Sequence, residues 1–132
     1  KVKLEALASE AAAENLTPQM LEEMELMLAR FREQASSPAV NQGELIATES
    51  RLHTIIWKAA RNPLLEVFLD NLQYRCARIW NSVLIDTIDP LEVAQQLTDI
   101  IDAIRERNSR EAGLLTEYHV RYFSKNLKDK LL

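Results

Sequence analysis

Two histidines, one cysteine, two glycines and four prolines are all that 132 residues contain of those types. Each scarcity excludes something. A β protein rich in tight turns needs far more glycine and proline, and the strong helix formers Ala, Leu, Glu, Gln, Lys and Arg dominate instead. A lone cysteine, Cys76, cannot form an internal disulfide, and no apolar run approaches the length of a membrane span. Positive charge is not in excess either: 16 Lys and Arg against 20 Asp and Glu leave a net charge of −4, which is wrong for a surface that must displace counterions from nucleic acid. Lys125, Lys128 and Lys130 gather near the C-terminus, where cations complement the dipole of a last helical turn. There is no HExxH and no nucleophile elbow. The expected compartment is the cytoplasm. Because the chain opens on Lys rather than Met, a segment is expected to precede it.

What is present is apolar material, 47% of residues, sufficient for one compact core and too little for two ordinary domains. The sequence predicts a single all-α domain over 1–132, an antiparallel bundle of about six helices enclosing a central polar cavity. The first helix runs from about Val2 to Glu14, with Leu4, Leu7, Ala8, Ala11 and Ala12 on one face. Thr17-Pro18 starts the second, which ends near Gln34, before Ser36-Ser37-Pro38. The third spans Gln42 or Glu44 to Arg61 and is stopped by Asn62-Pro63, and the fourth spans about Pro63 to Ile85. Asp89-Pro90 opens the fifth, and Asn108 with Glu111 forms a capping box for the sixth, which reaches about Lys128.

Polar residues on inward stripes carry the chemistry. On the third helix Leu45, Leu52, Ile56 and Ala59 form the apolar stripe, with Glu49 and His53 at its edge. On the sixth, His119 shares a face with Leu115, Tyr122 and Phe123. On the fourth, Phe68, Leu72, Arg75 and Ile79 follow helical spacing, so Arg75 points inward, and Cys76 reads as a small core residue beside Leu69. The fifth helix shows the stripe Val93, Leu97, Ile100, Ile101 and Ile104, with no polar group entering from it. Met20, Met24 and Met27, like Trp57 and Trp80, read as packing residues. A buried carboxylate, two buried imidazoles and an inward guanidinium require partners, since an unpaired buried charge costs several kcal/mol. Three solutions fit: a metal held by imidazole and carboxylate, an anionic ligand paired with Arg75, or a closed hydrogen-bond network. A metalloenzyme would need a further carboxylate on an inward stripe near the histidines, and none is apparent. A non-enzymatic chain is expected.

The run Glu49-x-x-Leu52-His53, then Asn62-Pro63-Leu64, then Ala103-Ile104-x-x-x-Asn108 with Glu111-Ala112 and His119 resembles the FCD effector-binding domain of FadR-subfamily GntR transcriptional regulators. The opening Lys1-x-x-Leu4-Glu5, with Ala8 and Ala11-Ala12-Ala13, is similar to that domain's first helix, which usually begins with Arg. The resemblance implies a metal site built from an Asp four residues before a His, a second His on a later helix and a third 22 residues beyond it. By register Glu49 stands at the Asp, His53 at the first His and His119 at the last, while Leu97 occupies the middle position and Gln96-Leu97 replaces the usual Glu-His. A divalent metal such as zinc is therefore expected to be weakly held or absent. The resemblance further implies a cytoplasmic homodimer that binds a small organic acid or acyl effector through Arg75, Glu49, His53, His119 and Tyr122. It would modulate operator binding by an N-terminal winged helix-turn-helix domain absent from this chain.

Overall fold

Prolines and short polar side chains set where the helices begin. In a computed structural model the backbone is described for residues 2–79 and 88–131, and side chains for 2–74 and 88–126. Six helices are present among the described residues: α1 (Val2–Asn15), α2 (Pro18–Ala35), α3 (Gln42–Ala59), α4 (Pro63–Ile79), α5 (Pro90–Arg105) and α6 (Ser109–Leu131). Thr17 Oγ1 accepts from the Met20 N–H at the start of α2, and Asn41 Oδ1 from Glu44 N–H at the start of α3. Asn62, Asp89 and Asn108 do the same for Leu65, Leu91 and Glu111. Each bond satisfies one of the backbone donors that a helix start leaves orphaned. Asn41 also explains why α3 begins at Gln42 rather than Glu44. The expected continuation of α4 to Ile85 lies outside the described residues, as does the side chain of Trp80, and α6 runs to Leu131, past Lys128.

Two helix ends use a residue in the left-handed region, Arg61 and Arg107, both at φ 57°. After α5, Asn108 N–H reaches Ala103 O and Arg107 N–H reaches Ile104 O, the paired bonds of a Schellman termination in which glycine is the usual occupant. Arg107 also donates from its guanidinium to Glu14 O and Leu16 O. One side chain thereby satisfies carbonyls at the end of α1 while its own backbone ends α5.

The helices form an all-α bundle. α1 packs chiefly on α6 and also against α3 and α5; α2 lies against α3 and α5, and α5 against α6. The core joins Met24, Leu28 and Phe31 of α2, Leu45, Leu52, Ile56 and Trp57 of α3, Leu69 of α4, and Val93, Leu97, Ile100, Ile101 and Ile104 of α5. Burying each of the larger of these side chains contributes roughly 1.5–3 kcal/mol. Met24 and Trp57 are core residues as expected, and Met20 and Met27 pack partly buried against the core.

Three stripes differ from their sequence reading. On α1 the buried face is Glu5, Ala6, Ala8, Ser9, Ala12 and Ala13, whereas Leu7 is half exposed. Small residues let α1 approach α6 closely, and a Cβ on Gly113 would come within 2.6 Å of the Glu10 side chain. Among the described side chains of α4 the buried ones are Leu65 and Leu69, with Phe68 more than half exposed. On α5 the apolar stripe is present, yet Gln96 enters the core beside it at 5% exposure, so the expectation that no polar group comes from this helix is overturned. Gln96 lies three residues after Val93 and four before Ile100, on the same inward arc. No helix among the described residues is long and apolar enough to cross a membrane.

Candidate functional site

Glu49 and His53 are one helical turn apart on α3, so their side chains meet on one face. Thr48, Leu52 and Ile56 hold that face inward, and His119 arrives opposite from α6. His53 Nε2 contacts Glu49 Oε1 directly. His119 Nε2 lies 2.9 Å from the same oxygen and 3.2 Å from His53 Nε2. The two imidazoles stack with centroids 5.1 Å apart, and Phe123 closes the far side of His119 edge-on. Both histidines are buried, and the Glu49 side chain is 14% exposed. The sequence reading of these three residues as one inward cluster therefore describes the fold correctly.

Among the described residues, two partners of the cluster escaped that reading. Gln96 Oε1 accepts from His119 Nδ1 at 2.7 Å, and Gln96 Nε2 donates to Glu92 Oε1 at 3.2 Å. The second bond fixes which end of the amide faces the imidazole, so Nδ1 of His119 carries a proton. Glu5 of α1, 4% exposed, places Oε1 3.9 Å from His53 Nδ1. An additional inward carboxylate near the histidines thus exists, contrary to expectation. Its sequence signal was its place three residues before Ala8 and seven before Ala12, on the buried arc of α1.

Burial alone would raise the Glu49 carboxyl. The charge of His53, followed by hydrogen bonds from His119 and His53 and the charge of His119, prevails and holds it well below the ordinary carboxylate range. A carboxylate oxygen and two imidazole nitrogens lie within 4.8 Å of one another. With the His119 proton held on Nδ1 by Gln96, a neutral His119 turns an Nε2 lone pair toward Glu49. A proton on His53 Nε2, an additional imidazole proton on His119 Nε2, or a metal ion among the three atoms offsets the repulsion between these acceptors. Two imidazoles and one carboxylate are also a donor set that suits zinc and leaves a coordination position open. The residues fit a metal.

The other expected site residues are placed differently. Leu97 is fully buried in the apolar core beside Gln96. Tyr122 Oη accepts from the Asp89 N–H at 3.0 Å, tying α6 to the start of α5. Arg75 and Cys76 belong to α4, but their side chains lie outside the described residues.

The FCD domain family matches residues 2–122. Among solved structures, E. coli McbR/YncC superposes with a TM-score of 0.83 at 19% identity, over 99% of this chain and 62% of that one. The chain thus spans under two thirds of that protein's length, and the likeness concerns the fold. No curated protein matches the chain by sequence.

Proposed function

The chain belongs to the FCD domain family, and on that premise we propose that it is the effector-binding regulatory domain of a GntR-type transcriptional regulator. In this reading it spans residues 1–132, works as a homodimer in the cytoplasm, and adjusts operator binding by a winged helix-turn-helix domain outside this chain. It catalyses no reaction. The observation that carries the reading is the convergence of Glu49 Oε1, His53 Nε2 and His119 Nε2 in the bundle interior, with His119 oriented from behind by Gln96.

Glu49, His53 and His119 would hold a divalent ion such as zinc. With Leu97 contributing no ligand, binding is weaker than at a site with an additional histidine. When bound, the ion supplies a Lewis-acidic point for an effector carboxylate. The protein's own contribution is orientation: Gln96 fixes the His119 ring, and Phe123 and Trp57 wall the histidines with apolar surface. Arg75 is the proposed guanidinium partner of the effector carboxylate, and the Tyr122 hydroxyl a further polar contact. Binding alters transcription only insofar as the effector prefers one arrangement of the dimer, because equal affinity for both arrangements shifts nothing.

The test is metal analysis and zinc titration of chelator-stripped protein, parent against His53→Ala and His119→Ala, followed by thermal denaturation with a panel of small carboxylic acids. Near-stoichiometric zinc lost in both variants, with saturable stabilisation by one acid class, supports the reading. A free ligand at a hundred times its Kd adds about 2.7 kcal/mol. A parent that takes up no zinc removes the metal, and one that no acid stabilises with or without zinc removes effector sensing.

A further inference from the structure

We propose that Glu5 is a positioning residue that couples the Glu49, His53, His119 cluster to α1. The inference rests on the reading of that cluster as a cation site. His53 stands between two carboxylates on different helices: Glu49 of α3 contacts Nε2, and Glu5 of α1 lies 3.9 Å from Nδ1. Glu5 is 4% exposed, and a carboxylate is kept at such a place only where positive charge or a donor answers it. One turn further along the same face of α1, Ser9 Oγ accepts from Thr116 Oγ1 at 2.7 Å, both side chains being buried. Thr116 precedes His119 on α6 by three residues. α1 therefore reaches the polar layer behind His53 directly and grips α6 one turn before His119.

The chemistry gives this arrangement a direction. When His53 Nε2 gives its lone pair to a cation, the ring proton must sit on Nδ1 and the imidazole gains positive character. A carboxylate on the Nδ1 side is then drawn in, and it raises the basicity of the ligand in return. Without the cation that pull weakens. Filling the site thus tightens α1 onto α3, and Glu5 is the contact through which it does so.

The test uses the whole chain and zinc alone as the probe. Zinc affinity is read by competition with a chromophoric chelator, and backbone hydrogen exchange of residues 2–13 is followed with and without saturating zinc, for the parent and for Glu5→Gln, which keeps shape and loses charge. Zinc is expected to slow α1 exchange at least tenfold in the parent. In Glu5→Gln the affinity falls about tenfold or more, and at saturation α1 no longer responds while the segments around His53 and His119 still do. Glu5→Asp recovers part of both effects. A readout independent of any variant is the His53 Nδ1 proton, expected in zinc-saturated parent as a slowly exchanging imidazole signal. If Glu5→Gln retains parental affinity and the parental α1 response, the proposal is wrong; if it does not fold, absence of the Nδ1 signal from the zinc-saturated parent is equally fatal. A parent that binds no zinc instead overturns the cation reading of the cluster, and this inference with it.

Discussion

Gln96 and His119, on α5 and α6, meet through a 2.7 Å hydrogen bond from His119 Nδ1 to Gln96 Oε1. Both are buried, and Glu92 holds the Gln96 amide in the orientation that makes its oxygen the acceptor. The neutral amide does for His119 what a carboxylate does in many metal sites, fixing the tautomer without adding a second negative charge. Gln96→Leu is expected to weaken zinc binding 10- to 100-fold, the usual cost of losing such a partner. Chelator competition checks it, and an unchanged affinity would show that Phe123 packing alone orients the ring.

Leu97 stands where the family resemblance expects a histidine. Leu97→His should add a ligand and tighten zinc binding at least tenfold, while costing apoprotein stability, because an imidazole replaces a fully buried isobutyl group. Zinc titration and denaturation of the metal-free variant measure the two effects separately. Unaltered zinc affinity would mean that position 97 faces the apolar core alone.

Arg61 and Arg107 share a left-handed backbone but not a role. Arg61 carries the conformational cost at the end of α3, so Arg61→Gly is expected to stabilise the protein by about 1 kcal/mol. Arg107→Gly gains the same relief but loses the guanidinium bonds to Glu14 O and Leu16 O, each of which contributes about 1 kcal/mol. It should be neutral or destabilising. Urea denaturation of the two variants gives the comparison, and equal effects would refute the assigned bridging role of Arg107.

Lys3 Nζ donates to Glu117 Oε1 at 2.8 Å, linking α1 to α6 at the surface. That hydrogen bond, opposed by partial burial and assisted by the charges of Lys3 and Arg121, holds the Glu117 carboxyl below its ordinary range. A depressed carboxyl stabilises the fold above the unfolded-state value, about 4.3, and loses that contribution as pH falls through the folded value. Lys3→Met should raise the Glu117 titration midpoint toward the ordinary range, as read from its side-chain carboxyl NMR shift. The stability difference between parent and variant should vanish in acid. A midpoint that stays put would assign the shift to other groups.

Much of this was legible locally. Thr17-Pro18, Asn62-Pro63 and Asp89-Pro90 mark helix starts because capping and proline geometry act within one turn of chain. Glu49 and His53 fall together because any α-helix brings residues four apart onto one face. His119 was legible as inward because Leu115 and Phe123 flank it at helical spacing. These are consequences of backbone periodicity, which the order of residues alone determines.

Gln96, Glu5, Leu7 and Phe68 mark where that reasoning ends. A residue at the margin of an apolar stripe is buried or exposed according to the helix that packs there. α1 turns its alanines to α6 because small side chains allow close approach, which buries Glu5 and Ser9 and leaves Leu7 outside. α5 turns its margin toward α6, and Gln96 meets His119. The sequence by itself determined the six helices and the turn that joins Glu49 to His53. Only the tertiary structure decided which oxygen faces which ring nitrogen, because those contacts join residues up to 70 positions apart and depend on how helices rotate against one another.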